Sequence, residues 1–145
     1  MKLDADLREF IELLNACDVR FLVVGAYALA YHGHPRYTGD IDFFIEPSPE
    51  NAQRIAQTLE RFGFADIGLA VEDFTATDLV VQLGVEPNRM DLMTSISGVG
   101  FDEAWLTRVY GEIDGLRVAF ISKELLKRNK VAVGRKQDLA DIDYL

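Results

Sequence analysis

The segment DIDFFI, residues 40–45, restricts the fold of this chain more than any other stretch. Four of its six residues are apolar and β-prone, which predicts a buried strand. Asp40 and Asp42 stand two residues apart, and side chains at that spacing point to the same face of a strand. Both carboxylates would then repel each other and lose hydration on one face, so a buried strand here needs something nearby that compensates their charge.

A third carboxylate is available in a second apolar strand, RMDLM at residues 89–93. Asp91 would point away from Met90 and Leu92, which are expected to face the core. If this strand lies beside residues 40–45, three carboxylates converge. Other interpretations remain open. Asp40 and Asp42 could be a solvent-exposed pair, and Asp91 could be a surface residue on an edge strand or an ion-pair partner of Arg89.

Three converging carboxylates need a cation, because otherwise the pKa of one of them rises until a proton replaces the missing charge. Mg²⁺ prefers oxygen ligands and binds through a few carboxylates together with water and substrate phosphates. Two such ions, about 3.5–4 Å apart, can hold the attacking and the leaving oxygen of an in-line displacement. The pattern therefore predicts a magnesium site at Asp40, Asp42 and Asp91.

A strand, a glycine and a helix follow one another directly upstream, in FLVVGAYALA. Gly25 allows a sharp turn and a close approach of the backbone to a ligand, and free N–H groups at this turn attract phosphate. A simple strand-to-helix turn is the alternative.

The remaining periodicity predicts an α+β fold, with a mixed β-sheet flanked by helices in a single domain spanning residues 1–145. Residues 64–74 carry no clear pattern. Two further Asp-x-Asp pairs fall on predicted helices, with Asp4 and Asp6 expected at a helix start and Asp141 and Asp143 on a solvated surface. The predicted helices cover residues 4–17, 26–31, 48–61, 102–108, from 122 onward, and 138–145; the predicted strands cover 20–24, 41–45, 79–83, 89–93, 110–113 and 116–120.

Charge and composition narrow the class of function. The net charge of −9 argues against charge-driven binding to nucleic acid in general. Residues 123–136 hold six basic residues and one acid, so this segment carries +5 and the rest of the chain −14; it is either a phosphate-binding surface or a solvated helix face. No apolar run approaches the ~20 residues of a membrane span, so no membrane contact is expected. The lone Cys17 forms no internal disulfide, which favours a cytoplasmic protein.

These residues resemble the nucleotidyltransferases of the DNA polymerase β-like superfamily. That pattern is a strand, a Gly-Gly or Gly-Ser pair, a helix, Asp-x-Asp on the next strand and a third Asp on a later one. The matching segments here are VVGAYALAYHGHPRYTGDIDFF and MDLM. The chain is most similar to the small bacterial enzymes of abortive-infection and toxin–antitoxin systems, whose tail resembles NKVAVGRKQDLADIDYL, residues 129–145.

The resemblance implies a nucleotidyltransferase palm with closing C-terminal helices, and it implies a role for each matching residue. Asp40, Asp42 and Asp91 would be the catalytic carboxylates that hold two Mg²⁺ ions. Gly25, Ala26, Arg36, Thr38, Lys130 and Arg135 would bind the nucleotide. Ala26 departs from the pattern, because it keeps the backbone amide but offers no hydroxyl to the phosphate.

The implied activity is magnesium-dependent transfer of a nucleoside monophosphate from a nucleoside triphosphate such as ATP to an acceptor hydroxyl. The acceptor would be an RNA end, a protein side chain or a small molecule, and a cognate antitoxin or toxin would be a partner. The alternative is a catalytically inactive member that keeps the fold as a binding module, antitoxin or adaptor subunit.

Overall fold

A mixed six-stranded sheet with strand order β3-β4-β2-β1-β6-β5 organises the chain. The structure is a computed structural model that describes residues 3–64 and 68–145. Its strands are β1 (Phe21–Val24), β2 (Asp40–Ile45), β3 (Val80–Leu83), β4 (Arg89–Met93), β5 (Val109–Ile113) and β6 (Leu116–Phe120). Its α-helices are α1 (Ala5–Ala16), α2 (Gly25–Tyr31), α3 (Pro49–Phe62), α4 (Phe101–Leu106), α5 (Lys123–Val133) and α6 (Lys136–Ile142), and a short 3-10 helix covers Val71–Thr75.

Local sequence signals explain where the longer helices begin and end. The Ser48 hydroxyl accepts a hydrogen bond from the Asn51 N–H at the start of α3, whose first residue is Pro49. Gly63, with φ +97°, ends the helix in the left-handed region. Ser122 caps α5 in the same way. The α+β class and these caps confirm the sequence predictions.

The two faces of the sheet have different coverings. On one face Phe43 packs against Phe10 of α1, with ring centroids 5.8 Å apart, and Phe10 in turn contacts Phe62 of α3. On the opposite face Phe44 packs edge-on against Phe101 of α4. Asp40 and Asp42 alternate with the residues that face α1, so they share the face of Phe44.

Strand register brings the three predicted carboxylates to one place. Strand β2 pairs with β4 in parallel, with Asp40 opposite Arg89 and Asp42 opposite Asp91. Strand β1 pairs with β2 antiparallel and places Val24, its last residue, opposite Asp42. The acids therefore meet where β1 ends and the Gly25 turn begins, which confirms the predicted adjacency of the two acidic strands.

Several sequence predictions need correction or qualification. Asp141 was expected on a solvated surface, but it is 3% exposed, because it pairs with basic side chains across the C-terminal helices. Helix α6 begins at Lys136 rather than at Asp138. The unassigned stretch 64–74 contains the 3-10 helix, while its residues 65–67 lie outside the described ranges. Within residues 3–64 and 68–145, every helix is too short or too polar to cross a membrane.

Candidate active site

Three carboxylates form a tight cluster at the end of β1. One oxygen from each of Asp40, Asp42 and Asp91 can be chosen so that all three lie within 4.8 Å of one another. Asp91 is 5% exposed, and the other two acids are half-buried. This is the convergence that the strand pattern predicted, and the exposed-pair interpretation of Asp40 and Asp42 does not hold.

Gly25 makes room for one of these carboxylates. Its φ of +67° lies in the left-handed region, and a Cβ at this position would collide with the carboxylate of Asp42. A glycine is thus required both by the backbone turn and by the approach of the acid. Ala26, next in the chain, is buried at the first turn of α2.

Hydrogen bonds hold two of the three acids in fixed orientations. The Thr38 hydroxyl donates to the Asp40 carboxylate at 2.9 Å and so helps to orient it. The Arg89 guanidinium donates to Asp40 at 2.8 Å and to both oxygens of Asp91 at 3.0 and 3.2 Å. The ion pair between Arg89 and Asp91, left open from the sequence, is therefore present together with the cluster.

The cluster shifts the protonation of its members. Burial, together with the neighbouring carboxylates of Asp40 and Asp91, raises the pKa of Asp42 to about 7, against the opposing charge of Arg89. Burial also raises the pKa of Asp91, although its hydrogen bond from Arg89 acts in the other direction. The three carboxylates thus repel one another, and a bound cation could reduce that repulsion.

A polar cavity of about 780 Å³ opens over the acids. Such a volume lies within the usual range of ligand sites, roughly 300–1,000 Å³. All nine residues predicted for the site line this cavity: Gly25, Ala26, Arg36, Thr38, Asp40, Asp42, Asp91, Lys130 and Arg135. Tyr37, Asp78, Glu86, Arg89, Ser95, Ser97, Asn129 and Asp138 also line it, and the sequence pattern singled none of them out as ligands.

Three basic residues of the cavity, Arg36, Lys130 and Arg135, are held by two acids of α6. The buried Lys130 ammonium lies 2.9 Å from Asp141 and 3.6 Å from Asp138. Arg36 reaches Asp141 at 3.2 Å, and Arg135 reaches Asp138 at 2.6 Å. Residues three apart on a helix share a face, so the spacing of Asp138 and Asp141 was the signal that could have revealed this network.

These basic side chains differ in their freedom to reach a ligand. The Arg135 side chain is 76% exposed, so it can reorient toward the cavity. The Lys130 side chain is 5% exposed and fixed between two carboxylates, which makes it first a structural cation. The Nε of Arg36 is buried and has no hydrogen-bond partner within the described residues.

The donor set suits a hard divalent cation. Its ligands would all be carboxylate oxygens, as magnesium prefers, and Gly25 leaves the Asp42 carboxylate unobstructed. The raised pKa of Asp42, due first to burial and then to the charges of Asp40 and Asp91, is consistent with a site that a cation would stabilise. Asp40, Asp42 and Asp91 are therefore a group that could hold a metal.

Solved structures share this fold. One is a proposed nucleotidyltransferase from Thermotoga maritima, which is 18% identical, with a TM-score of 0.63 over 94% of this chain and 88% of that one. Another is an antigenic nucleotidyltransferase-like protein from Paracoccidioides brasiliensis, which is 21% identical, with a TM-score of 0.56 over 98% of this chain and 76% of that one. At these identities the similarity establishes the fold alone.

A comparison with curated proteins finds no match. The sequence family described as "Nucleotidyl transferase AbiEii toxin, Type IV TA system" matches residues 13–90, just over half of the chain. The match includes the Gly25 turn and the Asp40–Asp42 pair, and it ends at Met90, the second residue of β4. The chain belongs to this AbiEii family of nucleotidyltransferase enzymes.

Proposed function

We propose that this protein transfers a nucleoside monophosphate from a nucleoside triphosphate to an acceptor hydroxyl and releases pyrophosphate, in a magnesium-dependent reaction. The observation that carries the proposal is the convergence of Asp40, Asp42 and Asp91 beside the Gly25 turn, at the base of a polar cavity. Membership of the AbiEii family supports the same chemistry.

The three carboxylates would hold two Mg²⁺ ions in this proposal. When bound, the ions would neutralise the triphosphate and fix its geometry, which is the main requirement of phosphoryl transfer. Asp40 and Asp42 would hold the ion that arrives with the nucleotide. Asp91 would hold the second ion with them, and its carboxylate would orient the acceptor hydroxyl or accept its proton.

The surrounding residues would bind the triphosphate. Gly25 would permit close approach of the phosphates, and Ala26 would contribute its backbone N–H. Thr38 would keep Asp40 oriented through the hydrogen bond at 2.9 Å. Arg36 and the exposed Arg135 side chain would supply positive charge to the phosphates, while Lys130 would act on them from its buried position.

The family suggests a toxin–antitoxin setting, with a cognate antitoxin as partner. We propose ATP or another nucleoside triphosphate as donor. The acceptor would be an RNA end, a protein side chain or a small molecule. A cytoplasmic location remains the prediction made from the sequence.

The decisive experiment replaces one carboxylate. We expect Asp42→Asn to reduce labelled nucleotide transfer at least about 100-fold, because the neutral amide removes a ligand and its charge, while circular dichroism shows an unchanged fold. The purified protein would be incubated with each labelled triphosphate, Mg²⁺ and cell extract or RNA.

Asp143→Asn is the matched control, since Asp143 is an exposed member of another Asp-x-Asp pair. It should transfer at the wild-type rate. Wild-type transfer by Asp42→Asn would refute the proposed mechanism.

A further inference from the structure

Arg89 is bound to the acidic cluster more tightly than any other cation of the cavity. Its Nη2 donates to Asp40 at 2.8 Å, and its Nε and Nη2 contact the two oxygens of Asp91 at 3.0 and 3.2 Å. Fork-shaped pairing of this kind is the strong form of an arginine–carboxylate contact. One guanidinium therefore bridges two of the three candidate metal ligands.

The sheet itself places Arg89 there. Arg89 lies opposite Asp40 across the β2–β4 ladder, and it precedes Asp91 by two residues, on the same face of β4. Its side chain is 26% exposed and lines the cavity. The pairing of the two strands therefore fixes the position of Arg89 beside both acids.

Arg89 and Thr38 together occupy every oxygen of two acids. Thr38 donates to one oxygen of Asp40, and Arg89 donates to the other and to both oxygens of Asp91. Within the described residues, the Asp42 carboxylate has no N–H or hydroxyl partner. A divalent cation entering here would meet two carboxylates that already bind a positive group, and a third, Asp42, that accepts no hydrogen bond from Arg89.

We propose that Arg89 is the resident counter-ion of the cluster and competes with the divalent metal for Asp40 and Asp91. Because two cations repel at such short range, metal alone binds weakly. A metal that arrives with a triphosphate binds more readily, since the phosphates attract the guanidinium away from the acids. Arg89 is a positioning residue that couples metal loading to nucleotide binding, and this inference rests on the proposed function.

The test measures metal binding without nucleotide. Wild-type protein and Arg89→Gln would be titrated with MnCl₂ by calorimetry and with MgCl₂ by thermal melting. Glutamine keeps a polar side chain without the charge, so we expect Arg89→Gln to bind metal about tenfold more tightly and to melt lower than wild type in chelator. Arg20→Gln is the control, because Arg20 forms an ion pair with Glu46 at the other end of β1 and should leave metal affinity unchanged.

Equal or weaker metal binding by Arg89→Gln would overturn the inference, because Arg89 would then orient the carboxylates without competing with the metal. If that variant does not fold, Arg89→Lys decides. Lysine keeps the charge without the fork, so wild-type metal affinity supports competition and a loss of affinity refutes it. If neither wild type nor Arg89→Gln binds metal, the proposed metal site and this inference are both overturned. If wild type binds metal and the variant binds it no more tightly, only this inference is overturned.

Discussion

Asp42 is the residue at which stability and the proposed function conflict. It is the carboxylate nearest to Gly25, and burial raises its pKa to about 7. A carboxyl group whose only task was to stabilise the fold would not be kept in such a place, because its ionised form is disfavoured there. The unfavourable burial of the Asp42 carboxylate is consistent with an acid that is retained to bind a ligand.

The pKa of Asp42 predicts how the metal-free protein responds to pH. In the unfolded chain this carboxyl ionises near 3.8, and in the folded protein near 7. The folded state therefore holds a proton that the unfolded state has released, and stability is lost as pH rises between about 4 and 7. We expect the free energy of unfolding to fall by up to about 1.4 kcal/mol per pH unit in this window.

Urea unfolding in the presence of a chelator, between pH 5 and pH 8, would measure this slope. Asp42→Asn should have a smaller slope and should exceed wild type in stability at pH 8, although it is expected to lose activity. Asp143→Asn should follow wild type. Equal slopes for wild type and Asp42→Asn would show that Asp42 is not the titrating group.

At the scale of elements, an ion network joins α5 to α6. Lys130 of α5 is 4% exposed and lies between Asp138 and Asp141 of α6, each 3% exposed. Arg36, from the loop before β2, contacts Asp141 as well. The two C-terminal helices are thereby tied to each other and to the loop that carries the acidic strand.

Removing the central cation of this network should destabilise the protein strongly. Lys130→Met leaves two buried carboxylates without their shared partner, and we expect a loss of about 3–5 kcal/mol in the free energy of unfolding. Denaturant unfolding at neutral pH would measure it. Lys127→Met on the exposed side of α5 is the control and should change stability by less than about 0.5 kcal/mol. Similar values for the two variants would contradict a structural role of the network.

At the scale of the whole molecule, local signals predicted more than long-range ones. The strands DIDFFI and RMDLM, the Ser48 and Ser122 caps and the end of α3 at Gly63 each depend on a few neighbouring residues, and all of them appear in the structure. The pairing of β2 with β4 was the condition on which the predicted metal site depended, and the observed strand register meets it.

The cations of the ion network were not predictable in the same way, although the spacing of Asp138 and Asp141 indicated that these two acids share a face of α6. Asp141 pairs with Arg36, which is 105 residues distant in the chain, and no periodic pattern records such a contact. The segment 123–136 was left open between a phosphate-binding surface and a solvated face, and its Lys130 proved to be buried. A charge in sequence does not reveal its partner until the topology is known.

Because the cavity is lined from Val24 to Asp138, a bound ligand should stabilise the molecule as a whole. A triphosphate with Mg²⁺, at about 100 times its dissociation constant, would add about 2.7 kcal/mol, which corresponds to a rise of roughly 5–10 °C in Tm for a domain of this size. Thermal melting with each of ATP, GTP, CTP and UTP, with Mg²⁺ or with chelator, would measure it.

The rise should require Mg²⁺ and should vanish in the double variant Asp40→Asn with Asp42→Asn, because the triphosphate is expected to bind through the metal. Asp143→Asn should retain it. A nucleotide that raises Tm equally in chelator would be bound by the basic residues alone, and the carboxylates would then need another explanation. If no nucleotide changes the Tm, the protein has the fold of the family but does not bind a nucleoside triphosphate donor, and the proposed reaction is refuted.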